Sequence, residues 1–492
     1  MFDFDLKAKR TKLALRFFTY GVMTVASVVL TVILVFIALG YRLDNNFNFS
    51  QGGLVQFRSA PQNATVTIDG KVQSFHTPDK INLPAGQHAF TMQLDGYHIW
   101  NKSVDLAAGQ LLWLNYVRLI PATITTSTLK EYPSLTDSLA SPDRHWMLLQ
   151  RDARKPDFSF VDYSDEQNPK YTDLQLPDDL FTKKDGSYGT FALKEWDLQS
   201  KYILVEHDNG DTVEFARIDR SKPENSVNIT KLFSLNITQA HFSGDNANIV
   251  FAKTGDVLRR LDIDAKAASA ALVSGLRDFT LYGKGVIAFD NIVQTTSGSE
   301  TKTIQQVGVY DNGKIAVVRE LEESQQVKLA YGEYDDHDYL AINVDNAPTV
   351  DIVRDAITAG SSQDTSVFAT LDLGVPVAWL SFSGNGRMLV AQHGNQMATY
   401  DLEMAKSYAQ TFDFGSDDTP KMRWLDDYYL WSDDGGTLRI FEFDGTNAHD
   451  ITSVLSGYDV MLSSNGKQLL SIGKSDVSGE PLLQMSGLTV QN

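Results

Sequence analysis

The 492-residue sequence contains no cysteine. This absence excludes disulfide bonds, thiolate nucleophiles, zinc–thiolate centres and iron–sulfur clusters. A chain without thiols suits an extracytoplasmic location. Because eukaryotic secreted proteins of this size usually carry disulfides, the absence also favours a prokaryotic origin.

Basic residues are also fewer than acidic ones. Lysine and arginine number 43 against 62 aspartates and glutamates, which gives a net charge of −19 and a pI near 4.8. Such a field repels phosphates, so we expect no nucleic-acid partner. The composition is otherwise that of a globular protein, and the length predicts two to four folded units.

The common catalytic signatures are missing. The sequence has no P-loop, no dinucleotide-binding fingerprint, no G-x-S-x-G elbow and no H-E-x-x-H, and its nine histidines are scattered. We therefore predict a protein that is not an enzyme, with no catalytic, cofactor-binding or metal-binding residues to name and no cofactor. The binding residues are unknown at this stage. The alternative is an extracytoplasmic hydrolase or lyase that assembles its site from distant parts of the chain.

Three short motifs occur in the order found in penicillin-binding serine transferases. They are Ser127-Thr128-Leu129-Lys130, Ser234-Leu235-Asn236 and Lys253-Thr254-Gly255. In those enzymes the first motif opens a buried helix. Here Pro133 follows shortly after Lys130 and no helical apolar stripe continues, so we interpret the three motifs as chance.

Two acidic clusters are candidate calcium-binding sites: Asp335-Asp336-His337-Asp338 and Ser432-Asp433-Asp434-Gly435-Gly436. Neither has the D-x-D-x-D-G spacing and distal glutamate of a calcium loop. Asp and Gly are also the residues that turns require, so we predict turns at both places.

One long apolar run lies near the N-terminus. Residues 17–41 are uncharged throughout, and about 20 helical residues suffice to cross a bilayer. Residues 1–16 carry five basic residues against two acidic ones, so the positive-inside rule predicts a cytoplasmic tail and an extracytoplasmic remainder. The alternative is a cleaved signal peptide, but the run is long and ends in Ala38-Leu39-Gly40-Tyr41, a poor cleavage site. We therefore predict a signal-anchor helix that holds the protein in the cell membrane with a single pass.

A polar stretch, 42–53, is predicted as a linker, and short alternating segments follow it. Strand-like runs at Thr65–Ile68 and at 88–94 are separated by turn residues such as Asp69-Gly70. Residues 54–120 therefore predict a small β-sandwich of four or five strands.

This stretch resembles the PEGA domain, a small β domain of prokaryotic surface proteins. The residues that carry the resemblance are Ser59–Val66, Ile68-Asp69-Gly70, Thr77-Pro78, Leu83–His88 and Gly96-Tyr97. The name-giving Pro-Glu-Gly-Ala reads Pro61-Gln62-Asn63-Ala64 here, and Asn is the residue best able to replace Gly at positive φ. The resemblance implies an extracytoplasmic spacer or envelope contact without catalysis.

The remaining residues, 121–492, contain a weak repeat. Its unit is a turn rich in Ser, Asp, Asn and Gly followed by an apolar strand, as in Phe382-Ser383-Gly384-Asn385-Gly386-Arg387-Met388-Leu389-Val390. Eight copies begin near residues 141, 197, 243, 282, 335, 382, 425 and 463. A period near 43 with two-residue alternation is typical of four-stranded propeller blades and resembles the degenerate TolB or WD-repeat kind. We predict an all-β chain with about eight blades, or alternatively seven, because the fourth and fifth copies are poor.

Together these features predict a surface protein anchored in the lipid bilayer through residues 17–41. Its propeller would present a binding platform to a protein or glycan of the cell envelope. The sequence does not name the ligand, the binding face or the oligomeric state.

Overall fold

The computed structural model describes residues 3–38, 41–43, 49–244, 246–283, 285–297, 300–321, 325–357, 366–413 and 422–490. The chain divides into two compact units, one running to Thr123 and joined by the last residues from Val490, the other spanning Ile124–Thr489. The division falls beside the predicted boundary between residues 120 and 121.

A long helix, α1 (Asp3–Ala38), begins the first unit. Its apolar segment Leu15–Phe36 is long enough to cross a membrane, and its side chains are exposed. Within that segment the hydroxyls of Thr19, Thr24 and Thr31 donate to the carbonyl four residues earlier, at 2.7–2.9 Å. These three hydroxyls are thus satisfied inside the helix, which suits a hydrocarbon environment.

The predicted linker differs from the structure at both of its ends. Strand β1 (Tyr41–Leu43) pairs antiparallel with the start of β2 (Phe49–Ala60), Tyr41 lying opposite Gln51. Residues 44–48 lie outside the described part of the chain. Polar residues and paired glycines made this stretch look like a spacer, but the backbone pairing of a strand does not depend on apolar side chains.

Two four-stranded sheets form the rest of the first unit. The remaining strands are β3 (Thr65–Ile68), β4 (Lys71–His76), β5 (Asp79–Pro84), β6 (Gly86–Gln93), β7 (Trp100–Leu106) and β8 (Leu111–Arg118). One sheet has the order β1-β2-β5, with β8 parallel to β2, and the other has the order β4-β3-β6-β7. The inward side chains of both sheets form one core, which includes Phe57, Phe90, Trp100 and Leu114.

The residues of the predicted motif hold the turns of this unit. Asn63 has φ of 70°, as expected for a residue in the place of glycine. Asp69 closes the β3–β4 turn and accepts hydrogen bonds from the Ala89 backbone N–H (2.9 Å) and from His88 Nδ1 (2.7 Å). Thr77 is buried, and its Oγ1 accepts from the Ala64 N–H at 3.0 Å.

The second unit contains eight antiparallel sheets among its described residues, each with four strands except the third, which has a fifth. The strands of blades 1–4 are β10 (Asp137–Ala140), β11 (Trp146–Asp152), β12 (Asp157–Asp162), β13 (Lys170–Asp173); β14 (Thr190–Trp196), β15 (Tyr202–Asp208), β16 (Val213–Asp219), β17 (Val227–Asn228); β18 (Ile237–Ser243), β19 (Asn246–Thr254), β20 (Val257–Asp262), β21 (Ala267–Ala268), β22 (Val273–Ser274); β23 (Leu276–Tyr282), β24 (Val286–Ser297), β25 (Glu300–Asp311), β26 (Lys314–Leu321). A short helix, α2 (Ile229–Phe233), lies between blades 2 and 3.

Blades 5–8 continue the pattern. Their strands are β27 (Val327–Tyr334), β28 (His337–Val344), β29 (Thr349–Arg354), β30 (Val367–Asp372); β31 (Trp379–Phe382), β32 (Met388–His393), β33 (Gln396–Asp401), β34 (Lys406–Thr411); β35 (Met422–Trp424), β36 (Tyr429–Ser432), β37 (Thr437–Glu442), β38 (His449–Ser453); β39 (Met461–Leu462), β40 (Gln468–Lys474), β41 (Pro481–Gly487) and β9 (Thr126–Glu131). All eight predicted repeats fall at the second strand of a blade, and the fold is an eight-bladed propeller.

The repeated turn has a local physical cause. In blade 6, Ser383 Oγ bonds Asn385 Oδ1 (2.8 Å) and accepts from the Met388 N–H (3.1 Å). The same Ser–Asn arrangement recurs in blade 8, with Ser463 and Asn465. Gly386 has φ of 74°, and a Cβ there would lie 2.0 Å from the Glu333 carbonyl oxygen, so only glycine fits.

The ring is closed by strands from both ends of the unit. β9, the first strand of the unit, pairs with β41, the last, and completes blade 8. Blades 8 and 1 also share an apolar core, in which Met461 and Leu470 pack with Met147 and Val161. Apolar clusters likewise join the neighbouring blades from 1 to 6.

Candidate binding site at the propeller channel

The first serine-transferase motif lies in a different blade from the other two, which border the same strand pair of blade 3, where Ile237 is opposite Thr254. Ser127-Thr128-Leu129-Lys130 is on β9, the outermost strand of blade 8. Ser234 ends α2, and Lys253 is on β19 of blade 3. The Lys130 ammonium lies 4.8 Å from the centre of the Tyr171 ring, so it packs against an aromatic ring rather than beside a serine nucleophile.

Both acidic clusters form turns. Asp335 and Asp336 have φ of 51° and 62° in the β27–β28 turn. Asp433 precedes a 3-10 turn, and its Oδ2 accepts the Gly457 N–H at 2.6 Å. In the described part of the chain, no group of three or more His, Asp or Glu side chains is placed to hold a metal ion.

The innermost strand of each blade borders the central channel, where a propeller presents residues from several blades to one ligand. We define these as the channel strands: β10, β14, β18, β23, β27, β31, β35 and β39. They carry the cations Lys194, Arg277, Lys328 and Arg423. The same strands carry four carboxylates, Asp137, Glu195, Asp278 and Glu333, so their formal charges balance, whereas residues 124–492 as a whole contain 55 carboxylates against 32 basic residues.

Arg423 and Trp379 form a pair on neighbouring channel strands. The Arg423 guanidinium lies 5.1 Å from the centre of the Trp379 ring and donates to the Met422 carbonyl at 2.7 Å. Arg423 is solvent-exposed, yet burial lowers the pKa of its guanidinium, with Asp459 and Asp433 acting in the opposite direction. The side chain is thus accessible to solvent although neighbouring protein atoms partly desolvate its guanidinium.

The other cations are more engaged. Arg277 Nη1 donates to the Gln325 carbonyl at 2.7 Å, and its Nε lies 3.8 Å from the Asp290 carboxylate. Burial raises the pKa of Asp290 against a hydrogen bond from Gln305. Lys328, whose pKa burial lowers, donates to Asn346. Among the described channel cations, Arg423 is thus the exposed residue that has no described carboxylate within 4.0 Å of its side chain.

A histidine–carboxylate pair lies on two other channel strands. His241 Nδ1 is 2.9 Å from Glu195 Oε2, and Glu195 Oε1 accepts the Phe242 N–H at 2.6 Å. Both side chains are about one-third exposed. The pair links blades 2 and 3, and both side chains remain partly accessible to solvent.

Sequence reasoning named none of these channel residues. The signal that could have found them is the position of each inner strand just before its repeated turn, which places Trp379 and Arg423 in equivalent segments of adjacent blades. The orientation of the side chains was not available from that spacing, since the register of each strand is decided by pairing with its neighbours.

Comparisons with known proteins extend this description. Residues 53–119 match the PEGA domain. No curated protein matches the chain. Because the PEGA match covers the first unit only, it identifies that unit and says nothing of the propeller's ligand.

Several solved structures are similar to the second unit. One is an oligogalacturonate lyase in complex with manganese (13% identity, covering 74% of this chain and 98% of that one, TM-score 0.40). Another is a eukaryotic initiation factor (13% identity, 76% and 94% covered, TM-score 0.43). A third is the β-propeller domain of Myceliophteria thermophila Cps50 (Swd1) (11% identity, 74% and 99% covered, TM-score 0.39). At such identities the likeness concerns the fold alone, and the eight sheets carry the assignment: the chain combines a PEGA domain at residues 53–119 with an eight-bladed β-propeller.

Proposed function

We propose that this protein is a single-pass, membrane-anchored platform that binds an envelope protein or glycan at the channel of its propeller, without catalysis. The anchor would be the apolar segment Leu15–Phe36, with the basic tail in the cytoplasm. The PEGA domain and the propeller would then stand on the extracytoplasmic side.

The observation that carries the proposal is the exposed Arg423–Trp379 pair. A guanidinium with no carboxylate within 4.0 Å among the described residues favours an anionic group in a ligand, and the indole ring offers an apolar face beside it. Carboxylate-bearing glycans and acidic protein segments both supply that chemistry. The motif with the candidate nucleophile Ser127 lies in blade 8, apart from the two motifs at blade 3, and this separation supports a binding role over that form of catalysis.

The test is capture of a partner by the full-length protein in detergent. Wild type and Arg423→Gln would be cross-linked to the envelope fraction, and a glycan array would be probed with both. Loss of a charge-assisted hydrogen bond lowers affinity by about 10-fold or more, so each partner found should bind Arg423→Gln at least that much more weakly when purified.

Arg354→Gln is the matched control. Arg354 also lies 5.1 Å from an aromatic ring, that of Phe368, but on the outer strands of blade 5. Equal losses of binding in the two variants, or turnover of a glycan or peptidoglycan without any stable partner, would contradict the platform proposal.

The second candidate is an extracytoplasmic hydrolase or lyase, and the His241–Glu195 pair favours it. An imidazole held by a carboxylate in an accessible channel is the arrangement of a general base. In that case His241→Ala abolishes turnover of an envelope glycan while Arg423→Gln mainly raises KM.

A further inference from the structure

One sheet of the PEGA domain presents a cationic outer face. On β2, β5 and β8 the side chains alternate, with Val55, Phe57 and Leu114 turned into the core. The opposite face carries the exposed or half-exposed side chains that we call the cationic face: Gln56, Arg58, Lys80, Leu111, Trp113 and Asn115. Gln56 lies opposite Lys80 on one side and opposite Trp113 on the other, so the six residues form one contiguous surface.

This surface has the chemistry of a lipid-facing one. It borders a shallow cleft of about 360 Å³, lined by Arg58, Lys80 and Trp113 among others. Trp113 and Leu111 are each 37% exposed, so this face presents two large apolar side chains beside its basic residues. Tryptophan beside basic residues is the combination enriched at membrane–water interfaces.

The charges of the cationic face are available to a partner. Among the described residues, no carboxylate lies within 4.0 Å of the Arg58 or Lys80 side chain. The nearby Asp79 accepts the backbone N–H of Lys80 at 2.7 Å. Residues 42–123 contain six basic and five acidic residues, whereas the rest of the chain from residue 124 contains 32 basic and 55 acidic ones, so the part next to the anchor lacks the strong negative charge of the propeller.

The chain holds this face close to the bilayer. The ring of Tyr41, in β1, lies 5.1 Å from that of Phe36, the last residue of the apolar segment. Tyr41 is opposite Gln51, and Gln56 follows five residues along β2, or about 17 Å at 3.3 Å per residue. A sheet inclined towards the surface therefore brings the cationic face to the headgroups.

We propose that the cationic face rests on anionic phospholipid headgroups of the leaflet from which α1 emerges. Arg58 and Lys80 pair with lipid phosphates, and Trp113 and Leu111 lie at the level where headgroup and acyl chain meet. The proposal rests on the membrane anchor of the proposed function. Because the anchor already holds the domain at the surface, weak contacts suffice to dock it.

The test uses the full-length protein, one chain per nanodisc, with either zwitterionic lipid alone or a mixture containing anionic phospholipid. Since the chain has no cysteine, Asn82→Cys places a single environment-sensitive fluorophore on β5 beside Lys80. We expect a blue-shifted, brighter signal in anionic discs, weakened by salt. Each basic residue near an anionic surface favours docking about five-fold, so Lys80→Gln and Arg58→Gln should each lower the docked-to-undocked ratio by that factor.

Lys71→Gln on the other sheet is the matched loss of one exposed positive charge, and a label at Val72→Cys, 69% exposed on that sheet, is the matched reporter. Lys71→Gln should leave the response of the label on β5 to anionic lipid unchanged. A label at Val72→Cys should not respond to the lipid composition. Thermal midpoints should confirm that every variant is folded. An identical signal in both lipids, an equal effect of Lys71→Gln, or a response to a soluble anionic oligosaccharide in zwitterionic discs would overturn the proposal. Co-elution with the discs reports on the anchor separately, so failure of the anchor and failure of the cationic face are distinguishable.

Discussion

At the scale of single residues, Glu214 is a buried carboxylate of the propeller whose hydrogen bonds lower its pKa. It is buried on β16 and accepts hydrogen bonds from His207 Nδ1 (2.9 Å), the Thr182 N–H (2.9 Å) and Thr182 Oγ1 (2.6 Å). His207 is itself fully buried and stacks on Phe191 at 4.5 Å. The group ties the segment after blade 1 to the strands of blade 2.

The electrostatics of Glu214 predict a pH-dependent stability. Burial alone would raise its pKa, but the hydrogen bonds from His207 and Thr182 prevail and lower it from 4.5 to about 2. A carboxylate with a lowered folded-state pKa stabilises the fold above its unfolded pKa, and this contribution disappears as the pH falls from about 4.5 towards 2. Glu214→Gln should therefore lower the thermal midpoint by several degrees at pH 7, which corresponds to a loss of about 2–3 kcal/mol in the free energy of unfolding. The difference in thermal midpoint from wild type should become smaller below pH 4.5.

Glu206→Gln on the neighbouring strand is the control. Glu206 is more exposed and pairs with Lys194 at 2.9 Å, an interaction of less than about 1 kcal/mol. Differential scanning fluorimetry of the full-length protein between pH 3 and 7 measures both variants. If the difference in thermal midpoint between wild type and Glu214→Gln were the same at every pH in this range, these hydrogen bonds would not lower the pKa of Glu214.

A second residue-scale network joins blades 5, 6 and 7. Arg387 is buried in the repeated turn of blade 6 and forms a two-pronged pair with Asp401, at 2.9 and 2.7 Å. Glu403 also contacts Arg387 and accepts from the Tyr334 hydroxyl of blade 5 at 3.0 Å. The Arg387 guanidinium lies 5.9 Å from the ring of Tyr428 in blade 7. Its burial and full engagement indicate a structural role, in contrast to the exposed Arg423.

At the scale of elements, β9 determines whether the ring is closed. Its partner β41 lies at the other end of the unit, and Thr126 Oγ1 is 2.8 Å from Ser486 Oγ across the pair. Such a closure joins the two ends of the ring without any local sequence signal, since the pairing residues are separated by nearly the whole propeller.

A disulfide tests this closure directly. We expect Thr126→Cys with Ser486→Cys to oxidise spontaneously, because the two positions are paired and the chain offers no other thiol. A cross-link over so long a loop stabilises by up to about 5 kcal/mol, less any strain. The thermal midpoint should rise on oxidation, with the reduced form of the same variant as the control. Two thiols that stay free under oxidant would contradict the pairing of β9 with β41.

The sequence-based fold prediction was confirmed where a local cause existed. Three of the eight repeated turns, at Ser141, Ser383 and Ser463, were recognisable because the serine bonds an Asp or Asn two residues later. The PEGA motif was recognisable for the same reason, through turn residues such as Asn63 and Asp69. The strand at residues 41–43 was not predicted, because its pairing involves backbone groups and leaves no pattern in the side chains.

At the scale of the whole molecule, the prediction concerns topology. Val477, 98% exposed on the propeller, is a suitable site for a single cysteine. In intact cells a membrane-impermeant maleimide should label Val477→Cys, whereas Thr11→Cys in the basic tail should react only after permeabilisation. The reason is that a tail with five basic residues stays on the cytoplasmic side.

The mass of the purified protein completes this experiment. An uncleaved anchor retains residues 1–41 and fractionates with membranes, whereas a cleaved signal sequence yields a shorter, released protein. Labelling of Thr11→Cys in intact cells, or a mass lacking the first 40 or so residues, would refute the proposed topology.

The amino-acid sequence by itself determined the apolar helix, the PEGA domain and the approximate number of blades. Each of these depends on hydropathy, alternation or turn chemistry within a short stretch of chain. Only the tertiary structure decided that β9 completes blade 8, that Arg423 lies over Trp379, and that Arg58, Lys80 and Trp113 share one face. These arrangements join residues from separate strands, and strand register is set by pairing and packing that no local pattern records.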